Sequence, residues 1–119
     1  PLDGRTILVV EDEYLIARDI CRVLEAEGAG IVGPVGDVEA GRSALAAGRI
    51  DCAVLDVNLR GERSFALADI LLRRRIPVVI ASGYDRAALP GALRRASHLT
   101  KPLDLRRLVE EVTMRTVAG

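Results

Sequence analysis

Ile7-Leu8-Val9-Val10-Glu11-Asp12-Glu13 sets four apolar residues directly against three acids. A short apolar run that stops so abruptly reads as a strand buried on both faces, followed by a charged loop. Beyond it Leu15, Ile16, Ile20, Val23 and Leu24 recur at helical spacing to about Glu27, and Gly28 supplies a stop. The same strand-then-helix unit repeats along the chain. Gly30 to Val35 is strand-like but broken by Gly33-Pro34, which suits a sheet edge, and Asp37 looks like the N-cap of a short helix ending at Gly48. Cys52-Ala53-Val54-Leu55 is a third buried strand ending in Asp56, with a loop from Val57 to Gly61 and a helix from about Glu62 to Arg74. Pro77 to Ala81 is a fourth strand, ending in Ser82-Gly83-Tyr84; Asp85 to Ala96 should be helical, with Pro90-Gly91 interrupting it. A fifth strand over Ser97 to Thr100 leads to Lys101-Pro102, and Asp104 caps a last helix with Leu105, Leu108, Val109 and Val112 inward. Five strand and helix pairs in strict alternation predict an α/β fold: a parallel sheet with helices on both faces and right-handed crossovers.

A length of 119 residues suits one domain over residues 1–119, and nothing in the chain looks like an attached output domain. Half the residues are hydrophobic and 29% are charged, the balance of an ordinary globular protein rather than a disordered one. The longest apolar run, Ile76 to Ala81, falls far short of the ~20 residues a bilayer span needs. The start lacks the basic and apolar regions of a signal peptide, so the cytoplasm is the expected compartment. Cys21 and Cys52 match neither zinc nor redox spacing and are expected to be buried, reduced thiols.

The net charge of zero hides an asymmetry, minus six over residues 1–59 and plus six over residues 60–119. An even overall balance and only Tyr14, Phe65 and Tyr84 for stacking disfavour nucleic acid and glycans as partners. Sixteen of the seventeen basic residues are arginine, so Lys101, the one lysine, marks a place where a compact ammonium is wanted.

In open parallel sheets the ligand crevice lies at the carboxyl ends of the strands. The residues just past the first, third, fourth and fifth strands are Glu11-Asp12, Asp56, Ser82 and Lys101, so the fold would gather three carboxylates, a hydroxyl and an ammonium on one rim. Crowded carboxylates repel unless a cation neutralises them, and hard oxygen ligands suit Mg²⁺. Such an ion beside a carboxylate and a lysine also supplies the positive charge that an arriving phosphoryl group needs, and Asp56 could then attack phosphorus itself.

On Ile7-Leu8-Val9-Val10-Glu11-Asp12-Glu13, Val54-Leu55-Asp56-Val57-Asn58-Leu59, Ser82-Gly83-Tyr84 and Lys101-Pro102, the chain resembles the receiver domains of two-component response regulators over essentially its full length. More narrowly, Pro77 to Tyr84 resembles the single-domain receivers whose fourth strand ends in a Phe-Ala-Thr-Gly-Tyr motif. The resemblance implies a flavodoxin-like, doubly wound (βα)5 sheet of strand order 2-1-3-4-5. It implies a signalling phosphoacceptor rather than an enzyme, with Asp56 receiving the phosphoryl group from the phosphohistidine of a sensor histidine kinase or phosphotransfer protein. Asp12 and Asp56 would bind Mg²⁺, Glu11 would act through a water, and the main-chain carbonyl of Asn58 would complete the set. Ser82 and Lys101 would hold phosphoryl oxygens, with a cis peptide after Lys101. A downstream protein would read the face built by the fourth and fifth strands and helices. Ser82 stands where threonine is usual, and His98 stands at the aromatic switch position, either turning inward or lying on the surface, with Tyr84 a substitute for its role.

Two other classes compete. An aspartyl-phosphate phosphatase of the haloacid-dehalogenase type would carry its nucleophile after the first strand and a second acid two residues later, where this chain has Asn58. A receiver-like interaction module that is never phosphorylated would keep the fold without needing the rim chemistry.

Overall fold

The apolar runs form five parallel strands, β1 (Thr6–Val10), β2 (Gly30–Val35), β3 (Cys52–Leu55), β4 (Val78–Ser82) and β5 (Ser97–Thr100), in the spatial order β2-β1-β3-β4-β5. The structure, a computed structural model, describes residues 1–59, 62–83, 91, 93 and 96–118, with the backbone alone described for residues 58, 62, 63, 117 and 118. Its helices among these residues are α1 (Tyr14–Ala26), α2 (Val38–Ala46), α3 (Phe65–Arg73) and α4 (Leu105–Ala118). The expected helix over Asp85 to Ala96, with its Pro90-Gly91 interruption, lies outside the described residues for the most part.

Alternation along the strands divides the apolar side chains between two cores, because successive Cβ atoms leave a strand on opposite sides. Ile7, Val9, Val54 and Val79 face α1 and α4, meeting Ile20, Leu24, Leu108 and Val112. Leu8, Val10, Leu55 and Ile80 face the other way, onto Leu45 of α2 and Leu67 and Leu71 of α3. Burying each of these large side chains contributes about 1.5–3 kcal/mol. Both covered faces explain why the strand sequences are continuously apolar.

The outer strand β2 carries the Gly33-Pro34 break as expected. Its register against β1 slips between Leu8, opposite Val32, and Val10, opposite Val35, so the sheet absorbs the interruption as an irregularity at its edge. Asp37 caps α2 by accepting from Ala40 N at 2.8 Å, and Asp104 caps α4 by accepting from Arg106 N at 3.0 Å. Gly28 ends α1 with φ of 99°, a conformation that favours glycine. Cys21 and Cys52 are buried free thiols, and burial pushes the Cys52 thiol up to about 12.

Three local expectations need correction. Residues past Asp56 are not simply loop and helix: Asn58–Leu59 pairs antiparallel with Glu62–Arg63, and α3 begins at Phe65 instead of Glu62. Leu59 is fully buried, so the pairing lets it join the core before the helix starts. Leu15 was expected on the inner face of α1 but is 61% exposed, because Ala17, Ile20, Cys21 and Leu24 fill the sheet-facing stripe.

Candidate functional site

β1 and β3 end where an apolar run meets an acid, β5 ends just before Lys101, and the main chain holds the residue that follows each of them in place. Glu11 N donates to Val35 O and Asp56 N donates to Val10 O, both at 2.9 Å, while Lys101 N donates to Ser82 O at 2.8 Å. Pairing thus continues one residue past β1, β3 and β5, and the side chains at those positions leave from fixed points on one rim.

Lys101 Nζ lies 2.8 Å from Glu11 Oε1 and 3.0 Å from Asp56 Oδ2, with Glu13 Oε1 farther off at 3.9 Å. Glu11 and Asp56 are both buried, and Asp12 is half-buried beside them. One oxygen from each of Glu11, Asp12 and Asp56 falls within 4.8 Å of the others. The remaining Glu11 oxygen accepts from Glu13 N at 3.1 Å. Burial pushes the Glu11 carboxyl above its ordinary value of 4.5, although the Lys101 hydrogen bond pulls the other way. Burial alone would lower Lys101, but the hydrogen bonds from its ammonium to Glu11 and Asp56 together outweigh that and leave it above 10.5.

The cluster has a net charge of about minus two once Lys101 is set against the three acids, and every donor is a hard carboxylate oxygen. That combination fits a divalent ion of the magnesium type. Ser82, the last residue of β4, is fully buried and paired in register with Thr100. The peptide between Lys101 and Pro102 is cis, as expected. Asn58 opens the short antiparallel pairing two residues beyond Asp56, its main chain opposite Arg63. His98 is half-buried in β5, opposite Ile80 on β4. Tyr84 lies outside the described residues.

Sequence reasoning missed two contributors. Ser64, fully buried, donates from Oγ to the Asp56 main-chain oxygen at 2.7 Å and also receives a main-chain tie, its N donating to Val57 O at 2.9 Å. The sequence pattern places it inside the helix expected from Glu62, whereas α3 starts at Phe65; a serine directly before an apolar helical run is the available signal. Glu13 steadies Glu11 through its main-chain N–H, which no side-chain pattern could announce.

A five-stranded parallel sheet with an acid trio and one lysine at the carboxyl rim defines the receiver class of signalling domains. The sequence profile of the response regulator receiver domain matches residues 7–113, and the chain belongs to that family. Among solved structures it is similar to SdrG from Sphingomonas melonis, at 36% identity and a TM-score of 0.81, over 93% of this chain and 95% of that one. Among curated proteins it is 32% identical over 108 residues to the sensory transduction protein LytT of Bacillus cereus, which covers 87% of this chain and 44% of LytT. It is 28% identical over 114 residues to the transcriptional regulatory protein PdtaR of Mycobacterium tuberculosis, covering 92% of this chain and 56% of PdtaR. The chain therefore spans about half the length of these curated relatives. The fold is flavodoxin-like, of order 2-1-3-4-5, and receivers of this family are phosphoacceptors in two-component systems that bind Mg²⁺ and meet histidine kinases or phosphotransfer proteins. Among the described residues no helix is long and apolar enough to cross a membrane.

Proposed function

We propose that Asp56 accepts a phosphoryl group from a phosphohistidine on a histidine kinase or phosphotransfer protein, and that the modified rim alters a surface read by a downstream protein. The observation that carries this reading is the Lys101 ammonium seated between Glu11 and Asp56, 2.8 and 3.0 Å from their oxygens. An Asp56 oxygen attacks phosphorus, the phosphorus–nitrogen bond breaks, and its electron pair returns to the imidazole, which takes up a proton. Glu11, Asp12, Asp56 and the Asn58 main-chain carbonyl would hold Mg²⁺, which when bound supplies positive charge opposite the transferring phosphoryl oxygens. Lys101 then exchanges a carboxylate partner for a phosphoryl oxygen, and Ser82 donates its hydroxyl to another.

Because Lys101 N is hydrogen-bonded to Ser82 O, movement toward the phosphate at one strand end is passed to the other. The face that would change is built by β4, the segment after it with Tyr84, β5 with His98, and α4. Two exposed apolar side chains, Tyr14 at 76% and Leu15 at 61%, stand at the start of α1 just past Asp12 and suit the docking of a helical donor protein. The function proposed is self-catalysed phosphoryl acceptance, without turnover of a separate substrate, in a domain made by residues 1–119.

Incubating the protein with acetyl phosphate and Mg²⁺ and measuring intact mass tests this. A single base-labile phosphoryl adduct that is lost in Asp56→Asn is expected. No adduct on the native chain would refute phosphoacceptance and leave an interaction module.

A further inference from the structure

At the opposite end of the sheet, where the strands begin, lies a cavity of about 270 Å³ whose charged lining is Arg5, Arg49, Asp51, Arg74, Arg75 and Arg115. Arg5 directly precedes β1, Asp51 precedes β3, and Arg74 and Arg75 follow α3, so the topology alone brings these distant residues together. Five guanidinium groups face a single carboxylate there. The Asp51 carboxylate is already engaged on both oxygens, accepting from Thr6 N at 2.8 Å and from Arg49 Nε at 3.0 Å. Arg115 is held by Ser97 Oγ at 3.2 Å and by Glu111 at 3.8 Å. Among the described residues no carboxylate lies within ion-pair distance of Arg5, Arg74 or Arg75.

Arginines at helix carboxyl ends often do no more than offset the helix dipole, so that explanation has to be weighed. The ends of α2, α3 and α4 lie on this side and carry roughly half a negative charge each. Together they offset about half of the three unpaired guanidinium charges, and a surplus of between one and two positive charges remains over the cavity. Arg75 also holds φ of 59°, a conformation that favours glycine or asparagine, so neither backbone fit nor core packing accounts for an exposed arginine at that place. The cavity holds the equivalent of roughly nine waters at about 30 Å³ each, more than one phosphate fills. Among the described residues no aromatic side chain lines it. Planar guanidinium groups converging without a stacking platform suit linked phosphates rather than a base or a sugar.

We propose that this cavity binds a diphosphate group, either inorganic pyrophosphate or the phosphate tail of a nucleotide. The proposal does not depend on phosphorylation of Asp56, which lies at the other end of the strands.

Isothermal titration of the native chain with pyrophosphate, in Mg²⁺-free buffer at low salt, is expected to show saturable binding. Orthophosphate should bind about tenfold more weakly, having lost one charged contact. Amide shifts in nitrogen-15 spectra should fall on Arg5, Asp51, Arg75 and Ile76. ADP binding as tightly as pyrophosphate would show recognition of the tail alone, and tighter ADP binding would add nucleoside contacts; both support the site. Arg74→Gln with Arg75→Asn should lower affinity about a hundredfold, or tenfold per contact, and Arg5→Gln about tenfold. Both of the first two positions are exposed, and asparagine tolerates the Arg75 backbone, so an unchanged melting temperature verifies the fold. Absence of saturable binding up to about 1 mM, the weak end of specific affinity, would overturn the proposal. So would shifts confined to Asp12, Asp56 and Lys101, or affinity unchanged in both variants.

Discussion

Replacing Lys101 by methionine removes the ammonium and keeps most of the side chain's length and packing. In the native protein that ammonium faces Glu11 and Asp56, whose side chains are 2% and 8% exposed, while its own side chain is 16% exposed. Removing one partner of a fully buried pair costs about 3–5 kcal/mol, and the partial solvent access of Lys101 reduces this to about 2–3 kcal/mol at pH 7. Urea unfolding in the presence of a chelator should record it as a fall in midpoint of roughly 1–2 M. The pH dependence fixes the cause. Glu11 is raised above 4.5 in the folded protein, so its contribution is fully present below pH 4.5 and is lost as pH rises through the folded value. Without the ammonium the carboxyl rises further, so the deficit of the variant should be small near pH 4.5 and grow toward pH 7. Lys101 itself is raised above 10.5, so in the native chain its contribution persists from neutral pH up to that value and is lost as pH rises through the folded value. Millimolar Mg²⁺ should restore more stability to the variant than to the native chain, since the ion neutralises the acids the lysine has left. A loss under about 0.5 kcal/mol, or one equal at pH 5 and pH 7, would refute the placement of Lys101 as the neutralising group.

Ser64→Ala takes the hydroxyl donor from the Asp56 main-chain oxygen, 2.7 Å away, and should cost about 1–2 kcal/mol in urea unfolding while slowing adduct formation with acetyl phosphate. Gly33→Ala should cost at least about 2 kcal/mol by the same assay, because its φ is 103° and an added Cβ would meet Val9 O and Val35 N, both main-chain atoms, at 2.8 Å.

The rim was legible in the sequence because β1 and β3 announce their carboxyl ends by a switch from apolar to charged, Val10 to Glu11 and Leu55 to Asp56, while Ser82 ends β4 and the one lysine, Lys101, follows β5 directly. Parallel topology then decides that these ends are neighbours, so tens of residues of separation do not matter. Charged residues also stand just before two strands, Arg5 ahead of β1 and Asp51 ahead of β3, but the other arginines of the cavity come from helix ends and turns, where no strand boundary points to them. Its place before an apolar helical run marks Ser64 as a helix start, but the bond of its hydroxyl to the Asp56 carbonyl was not legible, because periodicity carries no information about hydroxyl direction. Leu15 lies off the buried stripe because Ala17, Ile20, Cys21 and Leu24 follow one another at i, i+3, i+4 and i+7, and position 15 falls outside that series, so the leucine is turned out to solvent. The antiparallel pairing of Asn58–Leu59 with Glu62–Arg63 was missed although a glycine just after Leu59-Arg60 in the sequence was a usable turn signal.

The two outer strands bear on how copies of this domain meet one another. β2 carries Pro34, which has no N–H to offer, and its slipped register beside Gly33 spoils the flat ladder a neighbouring chain would need. β5, at the other margin, is four residues long. Both margins are poor templates for ribbon-to-ribbon growth, so self-association would have to run through helix surfaces, and fibrillar stacking is disfavoured even at high concentration.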